Sequence, residues 1–361
     1  MTDEIMIIET LLSFINTILP FLVILTILVF VHELGHYLVA IYNGVKVEVF
    51  SIGFGKEIFG FDDKKGTRWK FSLIPLGGYV KMHGDADEAS SKEIEENEVN
   101  KIDEKFSFHK KSVGARSAIL FAGPLANFLF SFFLLTFINS WYGFSFNKPV
   151  ISEVLEGKPA EISGLIVGDT IVKVNNLEIQ TFEDIRDNIG NLNNEIVKFV
   201  INRDDKLLDF EINVQNGLIG IKGGETFRKK LSVQESFVKS YEQIFYFTKA
   251  TLIGIYEIFK GERSSDELGG PIRIAELSSD FWEKGIYSTL WFMVLISLNL
   301  GLINLFPIPL LDGGHLLFNG IEVLKGSPVD KKFMHYFNSF GFILLISLML
   351  FATYNDISRF L

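Results

Sequence analysis

His32, Glu33 and His36 set the pattern His-Glu-x-x-His in the most apolar part of a 361-residue chain. One helical turn separates the two imidazoles, so both fall on one helix face and can share a divalent metal, zinc above all. Glu33, beside them, is placed to take a proton from a water that the metal activates. From Leu11 to Ala40 Glu33 is the only charged residue, and at about 1.5 Å per residue this segment is long enough to cross a hydrocarbon core of roughly 30 Å. Ionisable groups inside a membrane are costly, which makes a functional reading the default. The competing reading is a helix whose polar residues are merely satisfied inside a bundle.

Hydrophobic residues make up 48% of the chain and aromatics 14%, mostly phenylalanine, which places it among membrane proteins. A net charge of −10 leaves no basic stripe for nucleic acid. The absence of cysteine excludes disulfides, thiolate catalysis and a cysteine metal cage, so a metal must be held by His, Asp or Glu. Asp3, Glu4 and Glu9 replace the basic start of a cleavable signal, so the first span is retained. Three further apolar segments follow, near 117–142, 290–318 and 337–354. Lys101, Lys105, Lys110, Lys111 and Arg116 precede the second span, and Lys325, Lys331 and Lys332 lie between the third and fourth. By the positive-inside rule those loops are cytoplasmic, and both termini and the long segment 143–289 lie on the other side.

The third apolar segment is broken by Pro307, Pro309, Asp312, Gly313 and Gly314. Such breakage inside a membrane is tolerated where protein or a wet cavity meets the freed backbone groups. A catalytic zinc takes three protein ligands and keeps one open position. His-Glu-x-x-His supplies two, and Asp312 is the only acidic residue of the segment. Counted along two parallel spans, His32 and Asp312 fall at similar depth.

With these paired motifs, and with Phe121-Ala122-Gly123-Pro124 opening the second span, the chain resembles the site-2 protease family of intramembrane zinc metalloproteases, in particular the bacterial regulator-of-sigma-E protease type. The resemblance covers nearly the whole chain. It implies Zn²⁺ held by His32, His36 and Asp312, Glu33 as base, and Asn304 binding substrate near the scissile bond and assisting the oxyanion. It further implies a bacterial inner-membrane location with a periplasmic outer side. Its substrates would be single-pass membrane proteins already cut outside, of the anti-sigma-factor or remnant-signal-peptide kind, in regulated intramembrane proteolysis.

A scissile bond within a helix hides its carbonyl, so substrate must first be extended. Val45, Val47 and Val49 alternate as a strand, and Trp69, Phe71 and Leu73 as another; Pro75-Leu76-Gly77-Gly78 then reads as a turn returning through Tyr79 to Met82. The resembling family clamps substrate with a membrane-dipping β-element here, which points to Gly77, Gly78 and Tyr79 as substrate-binding. The acidic run 85–104 reads as a solvated loop. Residues 149–216 read as an α/β unit with strands near 150–154, 170–174, 197–202 and 207–214 and a helix over 182–189 capped by Thr181. The pattern is similar to a PDZ domain in permuted bacterial order, serving as a peptide receptor or, the preferred reading, as a filter against bulky ectodomains. Phe237, Tyr241, Phe245, Leu252 and Tyr256 mark an amphipathic helix expected along the outer interface.

The expected fold is therefore a polytopic α-helical membrane protein: four transmembrane helices, a membrane-associated β-hairpin and one inserted α/β PDZ domain. Its segments are 1–44, 45–112, 113–142, 149–216, 217–289 and 290–361. The rival function is a catalytically silent, zinc-braced peptide receptor; an ion transporter is the third. Glu33 argues against both, since structural zinc needs no neighbouring base and transport favours ligands repeated along a path.

Overall fold

The computed structural model describes residues 2–84, 104–264 and 269–359. Its elements run α1 (Thr2–Tyr42), β1 (Val47–Asp62), β2 (Arg68–Met82), α2 (Val113–Trp141), β3 (Phe144–Asn147), β4 (Ile151–Val154), α3 (Pro159–Ile162), β5 (Thr170–Val174), β6 (Leu177–Glu178), α4 (Phe182–Ile189), β7 (Glu195–Arg203), β8 (Lys206–Val214), β9 (Ile221–Gly223), β10 (Thr226–Lys229), α5 (Val233–Lys260), α6 (Pro271–Glu283), α7 (Ile286–Asn304), α8 (Asp312–Lys325) and α9 (Lys331–Ser358). Two compact units result: Met1–Thr136 with Phe237–Leu361, and Phe137–Ser236. Most of the acidic run, residues 85–103, lies outside the described residues.

In the first unit, four helices among the described residues are long and apolar enough to cross a membrane: Ile15–Tyr42, Val113–Trp141, Ile286–Asn304 and Lys332–Ser358. Small residues let them approach. A side chain at Gly35 would collide with the Ala122 carbonyl, and one at Gly301 would press on Pro124 and Phe128, so α1 and α7 each meet the backbone of α2 at a glycine. Ile24 and Leu28 of α1 share a buried cluster with Phe292 and Met293 of α7. The Asp356 carboxylate of α9 accepts from the N–H groups of Gly270, Ile272 and Arg273 at 2.9–3.1 Å, capping α6, whose own cap residue is a glycine.

Two expectations change. The third apolar segment is not one span: α7 stops at Asn304 and α8 starts at Asp312. Pro307 and Pro309 lack the N–H groups a continuing helix needs, while Gly313 and Gly314 pack on the backbone of 305–308 where any Cβ would clash. The strand segments are also joined differently. β2 runs unbroken through Pro75-Leu76-Gly77-Gly78, and the chain turns instead at Asp63–Thr67. There Asp63 Oδ1 accepts from the Lys65 and Thr67 N–H groups at 2.8 and 3.0 Å, the self-bonding that makes Asp a turn former. β1 bends at Gly53 and Gly55, both with φ near +87° (88 and 86). Residues 49–52 consequently pair with 78–81 on one side and 68–71 on the other, and 68–71 pair in turn with 59–62. The order is 78–81, 49–52, 68–71, 59–62, with 78–81 outermost.

The helix read as amphipathic forms α5, which packs on two of the apolar helices. Phe237 meets Phe132 edge-to-face at 5.2 Å, Phe247 meets Trp291 in the same way at 5.8 Å, and Thr251 Oγ1 donates to Asn299 Oδ1 at 3.1 Å, so the helix lies against α2 and α7.

The second unit has a four-stranded sheet ordered β6-β5-β7-β8 and two smaller strand pairs, β4-β9 and β10-β3. Alternate residues Val197, Phe199 and Ile201 of β7, with Ile212 and Val214 of β8, Ile171 and Val174 of β5 and Ile185 and Ile189 of α4, form its core. Thr181 and Asp184 exchange hydrogen bonds as a capping box at the start of α4, and Asp204 and Asp205 turn the β7–β8 hairpin with φ of 51° and 61°.

Candidate metal centre and active site

The histidines of α1 point to one side and are nearly buried, His32 8% and His36 7% exposed. The broken α7–α8 connection delivers the third group. Leu310 takes a left-handed backbone (φ 71°), a conformation a branched residue adopts only under constraint. Two residues on, Asp312 opens α8 with its carboxylate turned to α1. Its Oδ2 lies 3.2 Å from His32 Nε2 and its Oδ1 3.4 Å from His36 Nε2, while the two Nε2 atoms are 3.2 Å apart. One donor atom from each of the three residues falls within 4.8 Å of the others.

This donor set fits a zinc ion. Two imidazoles and a carboxylate are ligands of the right hardness, they converge, and they leave one coordination position open. His36 Nδ1–H donates to the Ile119 carbonyl at 2.8 Å, which puts the lone pair on Nε2, the atom facing the cluster. Pro124 lies in the same stretch of α2, where its missing N–H removes the helical partner of the Leu120 carbonyl. Gly123 of the same turn leaves the space that His36 Nε2 uses, since any Cβ there would overlap the ring.

Around the cluster opens a cavity of about 1620 Å³. Glu33, Asn304, Gly77, Gly78, Tyr79 and His315 line it together with His32, His36 and Asp312. Asn304, the last residue of α7, sets its Nδ2 3.4 Å from His32 Nε2. Gly78 passes so close to α1 that a Cβ would lie 2.9 Å from Val29 Cγ1 and 3.2 Å from Glu33 Cγ. Gly77 has φ of 112° and lies under the Phe54 ring, which stacks on Tyr79 at 6.1 Å. All eight residues singled out from the sequence thus meet in one cavity. His83, by contrast, is held by Glu48 at 2.7 Å, and its partner's carboxyl is lowered: burial alone would raise it, but hydrogen bonds from His83 and Lys81 outweigh that.

Sequence reasoning missed Asn127 and quoted Gly123 in a motif without giving it a role; both lie on α2. Asn127 is fully buried, with its Nδ2 3.2 Å from His32 Nδ1. The available signal was an asparagine in an otherwise apolar span, one helical turn after the Gly123-Pro124 break.

A family model described as peptidase family M50 matches residues 20–348. The chain belongs to peptidase family M50. Relatives in Brucella suis (37% identity, 95% of each chain), Rhizobium meliloti (36%, 95% of this chain and 96% of the relative) and Campylobacter jejuni (37%, 96% and 94%) each carry the name "Putative zinc metalloprotease". Membership in this family and four membrane-length apolar helices make the chain an integral membrane protein.

Proposed function

We propose that the protein is an intramembrane zinc metalloendopeptidase that hydrolyses a peptide bond in the membrane segment of single-pass proteins already shortened on their outer side. One observation carries this reading: His32, His36 and Asp312 converge in a cavity that also holds Glu33 and Asn304. A zinc ion held by the three ligands supplies Lewis-acid polarisation of a peptide carbonyl and acidifies water at neutral pH. Glu33 accepts the proton of the attacking water and returns it to the leaving nitrogen. The Asn304 amide donates to the carbonyl oxygen as charge develops there.

The outer strand 78–81 holds the substrate. A main-chain edge needs no particular side chains to bind an extended peptide, and Gly77, Gly78 and Tyr79 bring it beside Glu33. Substrates are of the anti-sigma-factor or remnant-signal-peptide class. The Phe137–Ser236 unit, read as a PDZ-type domain on the periplasmic side of a bacterial inner membrane, admits only substrates lacking a bulky ectodomain. The lysine-rich loops and the active-site cleft open to the cytoplasm, where product leaves.

The deciding experiment uses purified protein and a short model membrane substrate. Glu33→Gln retains wild-type zinc content and loses cleavage by at least the about 10²- to 10⁴-fold typical of a general base. Undiminished cleavage eliminates Glu33 and the mechanism; a wild-type protein with zinc but no peptidase activity favours the silent receptor.

A further inference from the structure

Asn127 stands in an unusual setting for an amide inside a membrane helix. Its backbone carbonyl accepts from Ser131 Oγ at 2.9 Å and from Ser297 Oγ of α7 at 3.0 Å, so this turn of α2 is pinned in place. Its side chain is fully buried, the nitrogen end faces His32 Nδ1 at 3.2 Å, and Oδ1 has neither a hydrogen-bond partner nor contact with solvent. A carboxamide has two ends of equal shape and opposite polarity. Turned by half a rotation, the same group puts Oδ1 on His32 Nδ1–H, so the acceptor gains a donor and the amide nitrogen takes the place that Oδ1 held. The rotation also decides the proton on the ring. With Nδ1 protonated, Nε2 carries a lone pair toward His36 and Asp312; with Nδ1 accepting, Nε2 carries the proton and cannot bind a metal.

We propose that Asn127 is a positioning residue for the metal centre: its Oδ1 accepts Nδ1–H of His32, fixing the tautomer and ring angle in which Nε2 ligates. This rests on the zinc peptidase reading and extends it. α2 then orients both ligating rings, His36 through the Ile119 carbonyl at 2.8 Å and His32 through Asn127. The difference between the two is testable, because a backbone carbonyl cannot be mutated away and a side chain can.

The test uses the full-length protein in detergent, with zinc affinity measured by chelator competition and imidazole tautomers read from ¹⁵N shifts of the zinc-free protein. Asn127→Leu keeps the shape and removes the acceptor; it lowers zinc affinity about 10- to 100-fold and populates the Nε2–H form of His32. Asn127→Asp keeps an acceptor and stays within a few-fold of wild type. Equal zinc affinity in the leucine variant overturns the proposal, as does an aspartate variant that falls as far as leucine, which would indicate packing alone. If the leucine variant does not fold, the wild-type spectrum decides: Nε2–H on His32 in the zinc-free protein sinks the idea. A wild-type protein that binds no zinc fails the underlying reading instead, and the spectrum still reports the hydrogen bond.

Discussion

Phe199 in β7 and His32 in α1 are both buried, but their surroundings are opposites. Phe199 sits among isoleucines and valines drawn from three strands and a helix, with the charged residues of the same strands facing outward. His32 sits among His36, Asp312, Asn127 and Asn304, while Ile27, Leu38, Leu129 and Phe133 of α1 and α2 are exposed. Water sorts residues in the α/β unit, so burying apolar surface drives it together. Lipid does not distinguish one apolar side chain from another, so the helical unit is organised by small-residue contacts and by polar groups that need each other. One interior gathers apolar side chains and the other gathers polar ones.

That contrast can be broken from either side. Asp312→Ala removes one of three ligands and is expected to empty the site of zinc by elemental analysis, a larger loss than the about 10- to 100-fold cost of an outer partner; unchanged stoichiometry would remove Asp312 from the set. Phe199→Ala should destabilise the α/β unit by about 3–5 kcal/mol, seen as faster amide exchange in β5 and β7, with zinc content untouched. Loss of zinc in that variant would deny the independence of the two interiors.

A smaller effect comes from the hairpin turn. Burial raises the Asp63 carboxyl, but bonds from the Thr67 N–H, Trp69 Nε1, Tyr37 OH and Lys65 N–H outweigh it and bring its pKa down to about 2. A depressed carboxyl stabilises the folded form above its unfolded value and loses that contribution as pH falls through about 2. Trp69 fluorescence should therefore report loosening of the turn on acidification, and Asp63→Asn should remove that transition. The smallest change is Thr181→Ala, which deletes the cap of α4 at a cost of about 1 kcal/mol by denaturant melting.

Local rules read some elements nearly to the residue. α4 begins after Thr181 because its side chain meets the Asp184 N–H three residues on, and Asp204-Asp205 turns because both accept positive φ. The same rules misread Pro75–Gly78. Glycines mark turns when they free the backbone, but Gly78 is small because Ser51, Val29 and Glu33 crowd it, a reason that lies far away in sequence. The third span was misread for a related cause: hydropathy continues through Pro307 and Pro309, and only packing shows where the helix ends.

By itself the sequence singled out the side chains proposed to carry the chemistry, since the spacing of His32, Glu33 and His36 on a helix and the isolation of Asp312 in an apolar run are matters of local geometry and transfer energy. Tertiary structure alone decided how those side chains are held. Asn127 reaches His32 across 95 residues of chain, and Gly123 clears the space for His36. Such contacts depend on how closely two helices approach, which no single helix encodes.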